Sequence, residues 1–228
     1  MGFGIEIKNS NNEILIDSKY RNMSYYSSGY VEAYNSDEPF TEVGIPISNI
    51  PTTPLVCLRP SVGSYCVVTR IVPNSYLYIR CYGHVDYFCC CESYELDIES
   101  SELDIESSYG MRIFSEDGNV VFDSRFSYLK IYATETIQLS TSTPYMDISH
   151  ENIENPFYVL SNPQHLFHIQ KIGNIESWLF FYIAGLYRIS SNTVRVLFLL
   201  DRQATLPPGY TAPLTVYGTS MTLLIVNI

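Results

Sequence analysis

The chain has 228 residues, enough for one large domain or two small ones, and 46% of them are apolar, too many for a disordered segment. Tyr supplies 20 residues and charged side chains only 16%, a composition suited to pleated, half-buried surfaces and to a subunit that buries part of itself against partners. The net charge of −11, from 24 acids against 13 scattered Lys and Arg, excludes a protein that grips nucleic acid through a basic face.

The first residues, Met1 to Lys8, do not read as a secretory leader, because Glu6 and Lys8 interrupt any apolar run. Gly2 is not expected to carry a myristoyl group, because Glu6 stands where Ser or Thr is required. The longest apolar stretch, Trp178 to Tyr187, is about half of a membrane span. The expectation is therefore a protein made in the cytosol, with no membrane insertion.

Residues 3–20, FGIEIKNSNNEILIDSKY, predict a β-hairpin. Ile5 and Ile7 share one face and Glu6 and Lys8 the other, a period of two. Asn11-Asn12 tolerates the positive φ of a tight turn, Ile14 to Ile16 return, and Asp17-Ser18-Lys19-Tyr20 closes the unit. Tyr20, Tyr25, Tyr26 and Tyr30 follow as a cluster suited to stacking on sugars, although core and interface Tyr are the commoner use of such residues.

Residues 109–126, YGMRIFSEDGNVVFDSRF, repeat the hairpin without a gap at an offset of 106, with Gly4, Ile7, Asp17 and Ser18 recurring as Gly110, Ile113, Asp123 and Ser124. Weaker echoes follow in the same order: 53–58 with 155–160, and 84–92 with 193–201. Between the copies, ELDIESS at 95–101 recurs at once as 102–108, an acidic extended linker. The expected fold class is all-β, with two tandem β-sandwich-like domains arising from an internal duplication. They span 1–94 and 109–228, joined by the linker at 95–108, and the second ends on an extra strand from Ser220 to Ile228.

Six cysteines, Cys57, Cys66, Cys81, Cys89, Cys90 and Cys91, all lie in the first copy. Cys81-x-x-His84 followed by Cys89 and Cys91 has a loose metal-ligand spacing. Under the repeat's register, however, five of the six stand where the second copy has plain hydrophobes, so buried free thiols are expected. His165 and His168 would converge only on a helix, and their surroundings favour a strand. There is no G-x-S-x-G elbow, since Gly63-Ser64-Tyr65-Cys66 is only a loop, and no phosphate-binding glycine motif. Asp17 and Asp123 read as turn caps or local ion partners. No catalytic, cofactor-binding or metal residue is assigned.

The stretch Tyr109-Gly110-Met111-Arg112-Ile113 … Gly118-Asn119-Val120-Val121-Phe122-Asp123-Ser124-Arg125-Phe126 resembles the opening of small proteins encoded among tail genes of long-tailed phages. Their pattern is roughly Y-G-L-x-[VI]-x-[ND]-x-x-G-x-x-x-F-D-S-R. The first copy departs from it with Phe3 for Tyr and Asn12 for the turn Gly. The resemblance covers some 18 residues per copy and carries no catalytic residue. It implies a non-enzymatic virion part, a tail-tip, baseplate or fibre-associated β module, assembled in the host cytoplasm from other tail proteins and copies of itself. The alternative is a receptor- or carbohydrate-binding module of the tail. A depolymerase would need two close carboxylates in a deep cleft.

Overall fold

The computed structural model describes residues 6–8, 14–17, 23–34, 41–47, 53–92, 111–114, 120–124, 127–151, 153, 155–161, 165–172, 176–206, 215–217 and 220–227. Every regular element among them is a β-strand, as the aromatic and β-branched composition predicts. The strands are β1 (Glu6–Lys8), β2 (Ile14–Asp17), β3 (Met23–Ala33), β4 (Thr41–Pro46), β5 (Leu55–Pro60), β6 (Tyr65–Val72), β7 (Tyr76–Glu92), β8 (Arg112–Phe114) and β9 (Val120–Asp123). They continue as β10 (Lys130–Ile137), β11 (Tyr145–Ser149), β12 (Phe157–Ser161), β13 (His165–Ile172), β14 (Glu176–Ser190), β15 (Thr193–Leu206), β16 (Thr215–Tyr217) and β17 (Met221–Asn227).

Both predicted hairpins form, and their registers agree pair for pair. Glu6, Ile7 and Lys8 face Asp17, Ile16 and Ile14 across β1–β2. Arg112, Ile113 and Phe114 face Asp123, Phe122 and Val120 across β8–β9, with the bulge at the same step. The second hairpin is closed by Ser124, whose Oγ accepts the Met111 N–H at 2.8 Å and whose own N–H donates to the Met111 carbonyl. Asp123 is buried, and its N–H donates to the Tyr128 hydroxyl at 2.6 Å.

Thirteen strands form one sheet folded back on itself. One run has the order β10–β17–β12–β5–β7–β3. The other has β4–β7–β6–β14–β15–β11, with β13 and β16 added beside the first half of β14. β7 belongs to both. Its residues 76–82 pair with β4 and β6, and its residues 83–92 pair with β3 and β5. The change of partners falls at Gly83, whose φ of 86° only glycine adopts freely.

The linker expected at 95–108 lies outside the described residues. The strands on either side of it do not sort into separate sandwiches. Each run joins three strands from 23–92 to three from 130–227, at β5–β12 in the first and β6–β14 in the second. One core draws on both, including Val31, Leu77, Ile79 and Val85 from the first half and Ile137, Val194, Leu223 and Ile225 from the second. The predicted C-terminal strand forms as β17 but is no appendage, because it sits between β10 and β12. It occupies in its half the position that 83–92 occupies in the other, a position the sequence comparison assigns to 193–201. Both segments are alternating apolar runs, so sequence alone does not separate them.

All six cysteines are free and buried. Cys89 and Cys91 enter the main core, while Cys57 and Cys90 face the other side with Phe88 and Phe157. Burial pushes the Cys66 thiol well up and those of Cys81 and Cys89 to about 11. The thiolate is the reactive form, so alkylation of the native protein near pH 8 is expected to be slow at every site. Unfolding in denaturant should then expose six thiols to the reagent, counted by intact mass. Rapid native labelling of any of these cysteines would contradict the burial.

Candidate functional site

Residues directly opposite in an antiparallel pair share a face, so the register of the second run fixes what its outer surface carries. Tyr82 of β7 stands opposite Tyr65 of β6, and Tyr65 opposite Tyr187 of β14. Tyr187 stands opposite Arg195 of β15, and Arg195 opposite Asp147 of β11. Their neighbours Cys81, Cys66, Leu186 and Val194 are buried in the main core, so the row lies on the outer face.

The Tyr65 and Tyr187 rings stack at 4.5 Å, and Tyr82 meets Tyr65 edge-on at 6.4 Å. Tyr34, just past β3, continues the line at 6.3 Å from Tyr82. At the other end Arg195 Nε and one of its terminal nitrogens donate to the two Asp147 carboxylate oxygens at 2.6 and 2.9 Å. Its guanidinium lies 4.2 Å over the Tyr145 ring. The Arg195 hydrogen bonds hold the Asp147 carboxyl below its ordinary range. The row therefore reaches the edge strand β11 with its charges mutually neutralised, half-buried at Tyr65 and Tyr187 and exposed at Tyr34 and Tyr82.

One edge, β11, ends the run that carries this row, and another, β10, ends the other run. Among the described residues β11 pairs only with β15, and β10 only with β17. β11 exposes Tyr145 and Met146, and β10 exposes Ile131 at 57% and Tyr132 at 52%. Edge strands of monomers are ordinarily guarded by charge, proline or bulges that block further pairing. Here Asp147 is engaged by Arg195, which leaves the β11 edge without a free charge, while β10 carries Lys130, Glu135 and a bulge at Tyr132.

A second surface group surrounds His84. Its Nδ1 and Nε2 lie 2.7 Å from Glu32 Oε1 and 3.0 Å from Asp86 Oδ1, and Tyr30 stacks on its ring at 5.1 Å. Carboxylates only accept, so both contacts are satisfied as hydrogen bonds only when both ring nitrogens carry protons. The Glu32 hydrogen bond raises its pKa accordingly. Asp86 also accepts from Arg59 at 3.0 and 3.1 Å, so the cluster is a balanced surface network.

The strongest buried polar group joins His150, Tyr158 and Arg188. His150 Nε2 lies 2.6 Å from the Tyr158 hydroxyl. Arg188 donates to the carbonyls of Ser190, Pro60 and Ser191 and to Asn155 Oδ1, at 3.0 to 3.3 Å. Burial pushes the Tyr158 hydroxyl up to about 12, so it stays protonated. Burial first, and then the Arg188 charge, lower the His150 pKa. The folded state thus binds fewer protons at His150 than the unfolded chain does below about pH 6.5. Its contribution is lost as pH falls from there through the depressed value. Unfolding curves between pH 7 and 5 should show a loss of stability that His150→Gln reduces. An equal loss in the variant would contradict this. His84 has the opposite sign, its contribution being lost as pH rises through its raised pKa.

The residues singled out in the sequence distribute as follows. Cys81, Cys89 and Cys91 point into the core while His84 stands on the outer surface, so the Cys–His spacing does not converge. Among the described residues no three of His, Cys, Asp and Glu are grouped as metal ligands would be. His165 and His168 lie on β13, as expected of a strand. Gly63 occupies a turn at φ 84°, leading into β6. Tyr25 packs on the far face of the first run and Tyr26 against the main core, leaving only Tyr30 bare. Tyr20 lies outside the described residues. The aromatic row that does form, through Tyr34, Tyr82, Tyr65 and Tyr187, needs the strand register to be seen; each member had only its residue type to signal it. No protein-family model, curated protein or solved structure matches the chain.

Proposed function

We propose that this chain is a structural subunit of a phage tail, a tail-tip, baseplate or fibre-associated component that acts by assembling with copies of itself and with other tail proteins. The observation that carries the assembly half of the proposal is the pair of open edges, β10 and β11, with bare Ile131, Tyr132, Tyr145 and Met146. An edge of this kind is completed by pairing with another chain, and a symmetric oligomer does so with the same surface on every copy. The tail assignment rests on the resemblance of the 109–126 hairpin. The proposal includes an origin by internal duplication, supported by the matching registers of the two hairpins and by the three-plus-three strand order of each run. The product is then one interleaved body built from two copies.

A receptor- or glycan-binding role is favoured by one observation, the exposure of Tyr30 at 65% and Tyr34 at 63%. Tyr65 and Tyr187 already stack on each other, which suits a protein interface better than a sugar face. Antibody labelling of purified phage particles, read by electron microscopy, tests the location. Labelled tails are the expected result, and purified virions that lack the chain by mass spectrometry would sink it.

A further inference from the structure

A partly open pocket of about 420 Å³ lies where the two halves of the fold meet. Its origin is the thinness of the two junctions. β5 and β12 pair only at Leu58 and Tyr158, and β6 and β14 only at Cys66–Leu186 and Tyr65–Tyr187. Past those pairs Val56 and Leu160 on one side, and Val68, Ile71 and Ala184 on the other, are no longer bridged by backbone and become walls. Among the described residues no charged side chain lines the space. Its side-chain hydroxyls, apart from that of the Tyr158 wall, belong to Ser161, which donates to the Thr222 carbonyl, and to exposed Thr53 at the rim.

We infer that this cavity is a binding site for a neutral ligand with a hydrocarbon body, such as the alkyl chain of an alcohol or lipid, its one polar group at the Thr53 rim. Protein interiors pack at crystal density, and voids larger than a water molecule are few. Engineered aliphatic cavities on the order of 150 Å³ stay dry and take up apolar guests. This space is larger, and its aliphatic walls offer water almost nothing to bond. Its size and lining match those of small-molecule pockets, which are mostly apolar with a few polar groups that orient the guest. The absence of a charged lining residue selects against carboxylate or phosphate heads inside the cavity.

Titration of the full chain with N-phenyl-1-naphthylamine, whose fluorescence rises in hydrocarbon surroundings, tests the inference. One saturable site per chain is expected, with the probe displaced by 1-decanol. Ala184→Phe fills the cavity from β14, and Val68→Phe fills it from β6 should the first variant fail to fold. In whichever variant keeps its far-ultraviolet circular dichroism spectrum, probe affinity should fall by about tenfold or more. Val62→Ser, in the exposed turn between β5 and β6, should leave it unchanged. Displacement by decanol alone marks a free amphiphile as the ligand, and displacement by phosphatidylcholine vesicles as well marks lipid drawn from a bilayer. Absence of saturable binding, or undiminished binding in a folded cavity-filling variant, overturns the site.

Discussion

Gly83→Ala is expected to destabilise the protein by about 3 kcal/mol or more, the sum of a left-handed backbone conformation and a steric overlap. Gly83 marks the point where β7 leaves one run of strands for the other, at φ 86°. A Cβ there would overlap the Ser64 hydroxyl and come within 2.9 Å of the Ser64 Cβ. Ser64 cannot retreat cheaply. It is buried, its N–H donates to the Ser61 carbonyl, and its carbonyl accepts from the Arg188 N–H. Because the strands on both sides of the bend share one core, the loss should appear in a single unfolding transition. Adding Ser64→Gly should recover the overlap portion and leave the conformational portion. Chemical denaturation of the parent, the Gly83→Ala variant and the double variant checks this. A Gly83→Ala protein as stable as the parent would show that the bend does not need glycine.

Arg188→Leu is the second large effect, expected at about 3 kcal/mol, because it strips a buried cation from several acceptors at once and each desolvated orphan costs on the order of 1 to 3 kcal/mol. The guanidinium ties the end of β14 to Pro60 at the end of β5 and to Asn155 before β12, so it clamps the two halves at one end of their junction. Asn155 holds φ at 47°, a conformation asparagine tolerates and most residues do not. The same substitution removes a charge that depresses the His150 pKa. In the Leu variant, the His150 ring proton signals followed by NMR should titrate at higher pH than in the parent. An unchanged or lower titration point would show that burial alone sets it.

Local structure was legible in the sequence wherever one strand and its turn carry the signal. The hairpins at 3–20 and 109–126 follow from period-two alternation around Asn11-Asn12 and Asp117-Gly118, and their paired registers appear as expected. The burial of Cys89, Cys90 and Cys91 follows from their apolar context. What escaped was everything set by contacts between distant strands. The junctions of the two halves rest on Tyr158–Leu58 and on two pairs between β6 and β14, too few to leave a pattern. Two separate units were therefore expected where the strands interleave. The bend at Gly83 hides inside Tyr82-Gly83-His84, in a strand that reads as one unbroken run. The aromatic row, the Arg188 clamp and the cavity exist only because that register brings residues 65, 82, 187 and 195 to one face and residues 60, 155 and 188 to one corner.

If open edges make this chain an assembling subunit, its molar mass in solution must exceed that of one chain. Light scattering from the purified full chain, across a wide range of concentration, should give a defined multiple of the single-chain mass. Ile131→Lys and Met146→Lys place charges on the β10 and β11 edges, where both residues are exposed and their loss leaves the core intact. At least one of them should lower the mass towards that of one chain while the circular dichroism spectrum stays the same. A parent protein that remains a monomer at every concentration would contradict the account.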